Sequence, residues 1–327
     1  MANAQKVDGV LGTDLSAAQG PNVDFATFVA NGIQFVIPKA TQGEKHVDSS
    51  YERNAREACA AVEFVGGYHW YEPRQDPIRQ AAHAVDLVGE HVLSRATTPM
   101  GVMIDFEDDD RSDPRGPVHG RDLVQGASAF VLEVERLSGW RVLVYSGKYF
   151  WMEAVGSYDA PVLSSRSYCH AAYPRSVCPG GKKSADYIAS MRALPQLDPA
   201  APWKGKRVDF WQFDGDKGLV LPQGVDADFD RFDGTVAELR AWCRGQRIGA
   251  ITKELGLELG DRDVKPSNVI GFADRAEQLA RERSEASTNP DVPTKQSSDR
   301  IAQIKLPVED PDATWNGEDP KGGGGAA

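Results

Sequence analysis

The stretch GVMIDFE, residues 101–107, is an apolar run that ends in two acidic residues, Asp105 and Glu107. Such a run predicts a buried β-strand with both acids at its C-terminal end. Side chains two residues apart on a strand point to the same side, so the two carboxylates should lie roughly 6–7 Å apart. Repulsion at that distance raises the pKa of one of them, which leaves an acid that can still donate a proton at neutral pH.

Two kinds of site use such a pair. Glycoside hydrolysis needs one carboxylic acid to protonate the glycosidic oxygen and one carboxylate to stabilise the cationic sugar. Clustered carboxylates also hold Mg²⁺ or Ca²⁺, so the pair alone leaves a metal site open. The acids that follow, Asp108–Asp110, are equally typical of a solvated loop.

Outward from this strand, β-rich runs alternate with helical patterns over three quarters of the chain. Eight strands are predicted, over residues 9–16, 33–40, 62–71, 101–107, 141–146, 161–167, 207–213 and 225–232. Helices are predicted over 24–31, 48–61, 75–92, 120–138 and 235–243. The alternation predicts an α/β fold, a flattened TIM-like (β/α)5(β)3 barrel, because the last strands have fewer helices between them. An open doubly wound sheet is the alternative.

Composition divides the chain into three parts. Residues 1–245 form the predicted barrel, and residues 246–286 a helical extension. An apolar stripe on that extension packs either against its own domain or on another protein. Residues 287–327 are rich in Pro, Asp, Ser and Gly, which predicts a disordered tail.

Charge and hydropathy exclude several classes of protein. The net charge is −11 without any Lys/Arg-rich stripe, so we expect no nucleic-acid partner. No apolar run approaches the length of a membrane span, so we expect no membrane insertion. The first residues lack the pattern of a signal peptide, which predicts synthesis in the cytoplasm without one. The six histidines form no ligand-spaced pair, so we expect no metal and no other cofactor.

Further candidates stand at or near the ends of the other strands. Two acids, Asp14 and Asp228, join the pair as candidate catalytic residues. Aromatic rings stack on the C–H faces of sugars and polar groups read the hydroxyls. The candidate substrate-binding residues are Lys39, Tyr68, His69, Trp70, Tyr145, Trp211 and Gln212.

The order of the motifs resembles one enzyme family. The motifs are GTDLSAAQG, PKATQG, D-x-x-Y-x-x-N from Asp48, GGYHW, the dipeptide Gln80-Ala81, MIDFE, VYSGKYFW, FWQF and VDADFDRFDG. Together, over residues 8–244, they resemble the glycoside hydrolase family 25 lysozymes, the Chalaropsis-type or phage-type muramidases.

The resemblance implies a flattened barrel and hydrolysis of the β-1,4 bond between N-acetylmuramic acid and N-acetylglucosamine. It makes Glu107 the general acid and gives Asp105 the role of stabilising the substrate's acetamido group, whose oxygen acts as nucleophile. Asp14 matches an acid of the family's cleft. Anchoring the last motif on its F-D-G end assigns Asp228 as the functional acid, with Asp226 as the alternative.

The expected partner is therefore the glycan strand of peptidoglycan. We expect a phage endolysin, or a lysin or effector on an injection particle, that reaches the wall after lysis, holin release or injection. Residues 246–327 would then dock on a phage or particle protein. The alternatives are an inactive glycan-binding barrel and an enzyme for another N-acetylated glycan such as chitin. The sequence leaves open whether Cys169 and Cys178 pair.

Overall fold

The computed structural model describes residues 9–20, 22–173, 208–215 and 227–248. Within these ranges nine strands form one sheet: β1 (Val10–Leu15), β2 (Ile33–Gln42), β3 (His46–Val47), β4 (Phe64–Trp70), β5 (Thr98–Asp105), β6 (Leu143–Gly147), β7 (Tyr168–Ala171), β8 (Phe210–Asp214) and β9 (Asp228–Phe232). The helices are α1 (Phe25–Ala30), α2 (Tyr51–Ala61), α3 (Pro77–Val88), α4 (Gly120–Ser138), α5 (Lys148–Phe150), α6 (Pro161–Ser164) and α7 (Val236–Gly245). A 3₁₀ turn, Ala17–Gln19, follows β1, and π-helical turns at Gly89–Leu93 and Trp151–Val155 extend α3 and α5.

Eight strands close into a barrel. Parallel pairing runs from β1 through β2, β4, β5, β6 and β7 to β8. Strand β9 lies antiparallel between β8 and β1 and completes the ring, while β3 pairs only with the end of β2. The closed ring confirms the predicted barrel and excludes the open doubly wound sheet. The (β/α)5(β)3 count stays a prediction, since residues 174–207 lie outside the described ranges.

The helices begin where local chemistry provides a cap. The Asp24 side chain accepts the backbone N–H of Ala26 at the start of α1. The Thr235 side chain and Glu238 form a reciprocal capping box at the start of α7. Such caps satisfy backbone donors that the first helical turn leaves without partners.

One predicted strand is wrong. Residues 161–167 contain the helix α6, and the strand of this region is Tyr168–Ala171. Pro161 stands in the first turn of α6, where its fixed φ angle and missing N–H fit a helix start. Leu163, one of the apolar residues that suggested a strand, lies in this helix and is fully buried.

Strand alternation produces two apolar layers. One set of side chains, including Val36, Val65 and Ile104, packs between the strands and the surrounding helices. The alternate set fills the barrel, and the rings of Phe35, Phe210 and Phe232 meet there. The Phe210 centroid lies 5.6 Å from that of Phe35 and 5.1 Å from that of Phe232. This apolar plug closes the interior below the strands' C-terminal ends.

The part of the chain that the structure describes contains no helix long and apolar enough to cross a bilayer. The boundaries predicted for 246–286 and 287–327 stay predictions, because residues 249–327 lie outside the described ranges.

The apolar plug leaves no space for a side chain at Gly12. A Cβ atom at this position would overlap the ring of Phe35, which is fully buried. We expect Gly12→Ala to lower the free energy of unfolding by about 1–3 kcal/mol, the usual cost of overpacking, as measured by urea denaturation. Gly147→Ala is the control, because nothing lies within 4 Å of a Cβ there. Equal stability of the two variants would contradict this account of the plug.

Candidate active site

A cavity of about 370 Å³ opens at the barrel mouth above the apolar plug. It is lined by Asp14, Ser16, Ala18, Gln19, Lys39, Tyr68, Trp70, Met103, Asp105, Glu107, Tyr145, Tyr173, Gln212 and Asp228. These include all four predicted catalytic acids and five of the seven predicted binding residues. Strand β9 runs antiparallel to its neighbours, so the first residue of β9, Asp228, lies at the same mouth as the last residues of the others.

Backbone hydrogen bonds hold Asp105 and Glu107 on the cleft side. The carbonyl of Asp105 accepts the N–H of Tyr71 at 3.1 Å, and the N–H of Phe106 donates to the carbonyl of Tyr145 at 2.9 Å. The ladder therefore continues one residue past β5. Phe106 is fully buried in the outer layer, and the residues on either side of it line the cleft.

The fold opposes the charge of Asp105. It is 6% exposed, and its Oδ1 has no hydrogen-bond partner among the described residues. Burial raises the pKa of Asp105 well above its usual value, and the charges of Glu107 and Asp14 raise it further. The Lys39 ammonium acts in the opposite direction, but less strongly than burial. The surroundings of Asp105 therefore favour its neutral form.

Asp14 belongs to a hydrogen-bonded chain across the mouth. The phenol O–H groups of Tyr145 and Tyr173 donate to Gln212 Oε1, with oxygen–oxygen distances of 2.8 and 2.7 Å. With its oxygen occupied in this way, the Gln212 amide directs Nε2 to Asp14 Oδ2 at 2.7 Å. Burial is the main reason that the pKa of Asp14 rises to about 6, and the bond from Gln212 opposes the rise.

One wall of the cleft combines an aromatic face with a cation. The Lys39 Nζ atom lies 4.7 Å from the centroid of the Trp70 ring and donates to Gln42 Oε1 at 2.9 Å. The Trp70 indole N–H points to Asp108 Oδ2 at 3.5 Å. A partly exposed ring with a fixed edge is suited to stacking against a sugar.

The structure does not bring His69 and Trp211 to the cleft. His69 is fully buried beneath the helices, where its ring stacks on Phe130 with the centroids 4.8 Å apart. Its ring nitrogens contact Thr41 Oγ1 at 2.8 Å and Gln80 Oε1 at 3.1 Å, and burial lowers its pKa to about 3. Trp211 is also fully buried in the outer layer.

The period of a strand explains both differences. His69 stands between Tyr68 and Trp70, and Trp211 precedes Gln212, so each points away from its cleft-lining neighbour. Strict alternation along each strand could therefore have separated the residues that line the cleft from those that face the outer layer.

The sequence left open whether Asp228 or Asp226 is the functional acid, and whether Cys169 and Cys178 pair. In each case one of the two residues lies outside the described ranges. Asp228 lines the cleft and pairs with Asp14 across the β1–β9 ladder, whereas Asp226 lies outside those ranges. Cys169 is a free thiol inside the barrel, with its Sγ 3.9 Å from Asp230 Oδ1. Cys178 also lies outside them.

Sequence reasoning missed several cleft residues. Met103 precedes Asp105 by two positions on β5, so strand alternation predicts that it faces the same cleft. Ser16 and Gln19 form a capping box on the turn after β1, and the N–H of Ala17 in this turn donates to Asp48 Oδ2 at 2.9 Å. For Tyr173 no periodicity or motif provided a signal.

Among the described residues, no group of three or more His, Cys, Asp or Glu side chains is arranged to hold a metal ion.

Comparison with known proteins identifies the family. The sequence profile of the Glycosyl hydrolases family 25 matches residues 13–218. The chain belongs to this family. The solved structure of the muramidase from Trichobolus zukalii has a similar fold, with a TM-score of 0.54 and 26% sequence identity. The match covers 72% of this chain and 99% of that one.

Two curated proteins are similar to part of the chain. The uncharacterized protein YegX of Escherichia coli K12 is 29% identical over 217 residues, which are 66% of this chain. The chain spans about 65% of the length of YegX. The N,O-diacetylmuramidase of Chalaropsis sp is 27% identical over 181 residues, 53% of this chain and 83% of that protein.

The burial of Asp105 in this family 25 cleft predicts a stability that falls with pH. A carboxyl whose pKa is raised on folding stabilises the protein most when protonated, and that stability is lost as the pH rises through the folded-state pKa. We expect Asp105→Asn to match the wild type in melting temperature at about pH 4. At about pH 8 the variant should melt several degrees higher.

Asp24→Asn is the control, because Asp24 is an exposed N-cap and Asn caps helices about as well. The control should show no stabilisation that grows with pH. A constant difference between Asp105→Asn and the wild type from about pH 4 to 8 would show that Asp105 ionises freely in the folded protein.

Proposed function

We propose that this family 25 protein is a muramidase that hydrolyses the β-1,4 bond between N-acetylmuramic acid and N-acetylglucosamine in peptidoglycan. The observation that carries the proposal is the pair Asp105 and Glu107 at the end of β5, facing one cleft in unequal surroundings. Asp105 is buried and held neutral, whereas Glu107 is partly exposed. Environments that separate two carboxyls in this way are the basis of acid–base division in glycosidases.

Glu107 is the general acid in this proposal. It donates its proton to the glycosidic oxygen as the bond from the anomeric carbon to that oxygen breaks. The acetamido oxygen of the same sugar attacks the anomeric carbon and forms a cyclic intermediate. Water then attacks that carbon, gives its proton to Glu107 and reopens the ring, so the configuration is retained.

Asp105 orients the acetamido group. Burial of Asp105 and repulsion by Glu107 oppose a second charge, so in this proposal the two carboxyls share one proton before the substrate reacts. The developing positive charge on the acetamido nitrogen favours ionised Asp105, which accepts the N–H bond. The shared proton is then held by Glu107, where the leaving oxygen needs it.

The remaining cleft residues provide binding. The Trp70 ring offers a face for a sugar, and Lys39 beside it offers a cation to the carboxylate of the lactyl group or stem peptide. Burial raises the pKa of the Tyr68 and Tyr145 phenols well above the usual value, so both stay neutral hydroxyls that can hydrogen bond a sugar. Asp14 and Asp228 complete the acidic side of the cleft.

The biological setting stays a prediction of the sequence. We propose a phage endolysin or particle-associated lysin that acts on the wall after lysis, holin release or injection. Docking of residues 246–327 on a phage or particle protein belongs to the same proposal.

The substitution Glu107→Gln tests whether Glu107 is the general acid. The amide cannot donate a proton to the leaving oxygen, so we expect turnover to fall by roughly 10²–10⁴-fold or more, with folding and glycan binding retained. The measurement is digestion of purified peptidoglycan, borohydride reduction and mass spectrometry of the products. Glu57→Gln, at a partly exposed position on α2 outside the cleft, is the matched control and should digest like the wild type.

Fragments ending in reduced N-acetylmuramic acid, from the wild type and the control alone, support the muramidase. Reduced N-acetylglucosamine ends would show that a different bond is cut. If the wild type binds the wall but releases no fragments, the inactive glycan-binding barrel is favoured. If it digests chitin and not peptidoglycan, the substrate is another N-acetylated glycan.

A further inference from the structure

A buried acid beneath the cleft has no part in the mechanism above. Asp230, in β9, is 2% exposed and is not among the residues that line the cavity. In the antiparallel β1–β9 ladder Asp230 pairs with Gly12, two residues before Asp14, and Asp228 pairs with Asp14. This register brings the carboxyl of Asp230 into a hydrogen bond with that of Asp14 inside the barrel. Two carboxyl groups can form such a bond only when one of them carries a proton.

The surroundings decide which acid carries that proton. Asp14 already accepts a bond from the Gln212 amide, which favours its charged form. Asp230 receives only a long contact from the Cys169 thiol at 3.9 Å, and its Oδ2 has no donor among the described residues. The charged form is therefore better supported at Asp14.

Two acids that face Asp230 oppose its ionisation, Asp14 from β1 and Asp228 from β9 itself. The Cys169 thiol from β7 acts in the opposite direction, but less strongly, through its long contact with Asp230 Oδ1. Burial raises the pKa of Asp230 well above its usual value, and the charges of Asp14 and Asp228 add to this. Lys39, the cation of the cleft, acts on Asp105 instead.

We propose that Asp230 is a positioning residue that stays protonated and donates a hydrogen bond to Asp14, holding Asp14 ionised and oriented in the cleft. Together, Gln212 and Asp230 give Asp14 two donors in a site where burial alone would neutralise it. The proposal rests on the proposed function, since it assigns Asp14 an ionised role during glycan hydrolysis.

Two substitutions separate this role from a merely structural one. Asp230→Asn keeps the shape and a neutral N–H donor, whereas Asp230→Ala removes the donor. Loss of a donor to a carboxylate raises the pKa of that carboxylate. In the Ala variant we therefore expect the acid limb of the kcat/KM profile on peptidoglycan to move up by about one pH unit. The Asn variant should keep the wild-type limb and turnover within about threefold.

A second measurement needs no substrate. Carbon-13 spectra of aspartate-labelled protein report the ionisation of each carboxyl group directly. We expect the wild type at about pH 7 to show a protonated carboxyl signal that Asp230→Asn lacks. Since this spectrum is recorded without glycan, it tests the acid pair even if the protein digests no peptidoglycan, and even if Asp230→Ala does not fold.

The outcomes distinguish the two proposals. An inactive wild type with the protonated signal intact would overturn the proposed function and keep the acid pair. Ionised Asp230 at about pH 7 would overturn the positioning role. So would superimposable pH profiles for the wild type, Asn and Ala variants, or a folded Asn variant whose activity falls as far as that of the Ala variant.

Discussion

The antiparallel pairing of β9 with both β1 and β8 is the constraint on which the cleft depends. Six parallel pairings produce a curved sheet with two edges, and β9 joins those edges. Because β9 runs in the opposite direction, its first residue lies at the mouth where the other strands end. Asp228 is thus brought to the edge that holds Asp14 and Asp105. A parallel strand in the same place would carry its first residue to the opposite end.

Closure also determines the dielectric surroundings of the acids. Below them the barrel is filled by aromatic rings such as Phe35 and Phe210, and the carboxyls above these rings are buried. Charged groups in such surroundings are costly unless donors support them. Gln212 supports Asp14, whereas Oδ1 of Asp105 has no donor, and their pKa values differ accordingly. Burial above the plug thus raises the pKa of both acids, and the hydrogen bond from Gln212 limits the rise at Asp14.

Much of this arrangement could be predicted from the sequence. Apolar runs located seven of the eight barrel strands, and placing acids at strand ends selected Asp14, Asp105 and Asp228. The error at residues 161–167 arose because a short apolar run does not distinguish a helical turn from a strand. His69 and Trp211 were grouped with their neighbours although the strand period sends them to the other face. Both are held in the outer layer by packing, His69 against Phe130.

What the sequence by itself determined is local: where strands end, which residues alternate, and that two carboxylates follow one buried strand. These features depend on the backbone geometry of a few consecutive residues. Only the tertiary structure decided which acids meet and how strongly burial opposes the charge of each. Asp14 and Asp230 are more than two hundred positions apart, and their contact follows from the register in which β9 closes the ring. Strand register across a closed barrel is set by packing over the whole interior, and no short stretch of sequence contains that information.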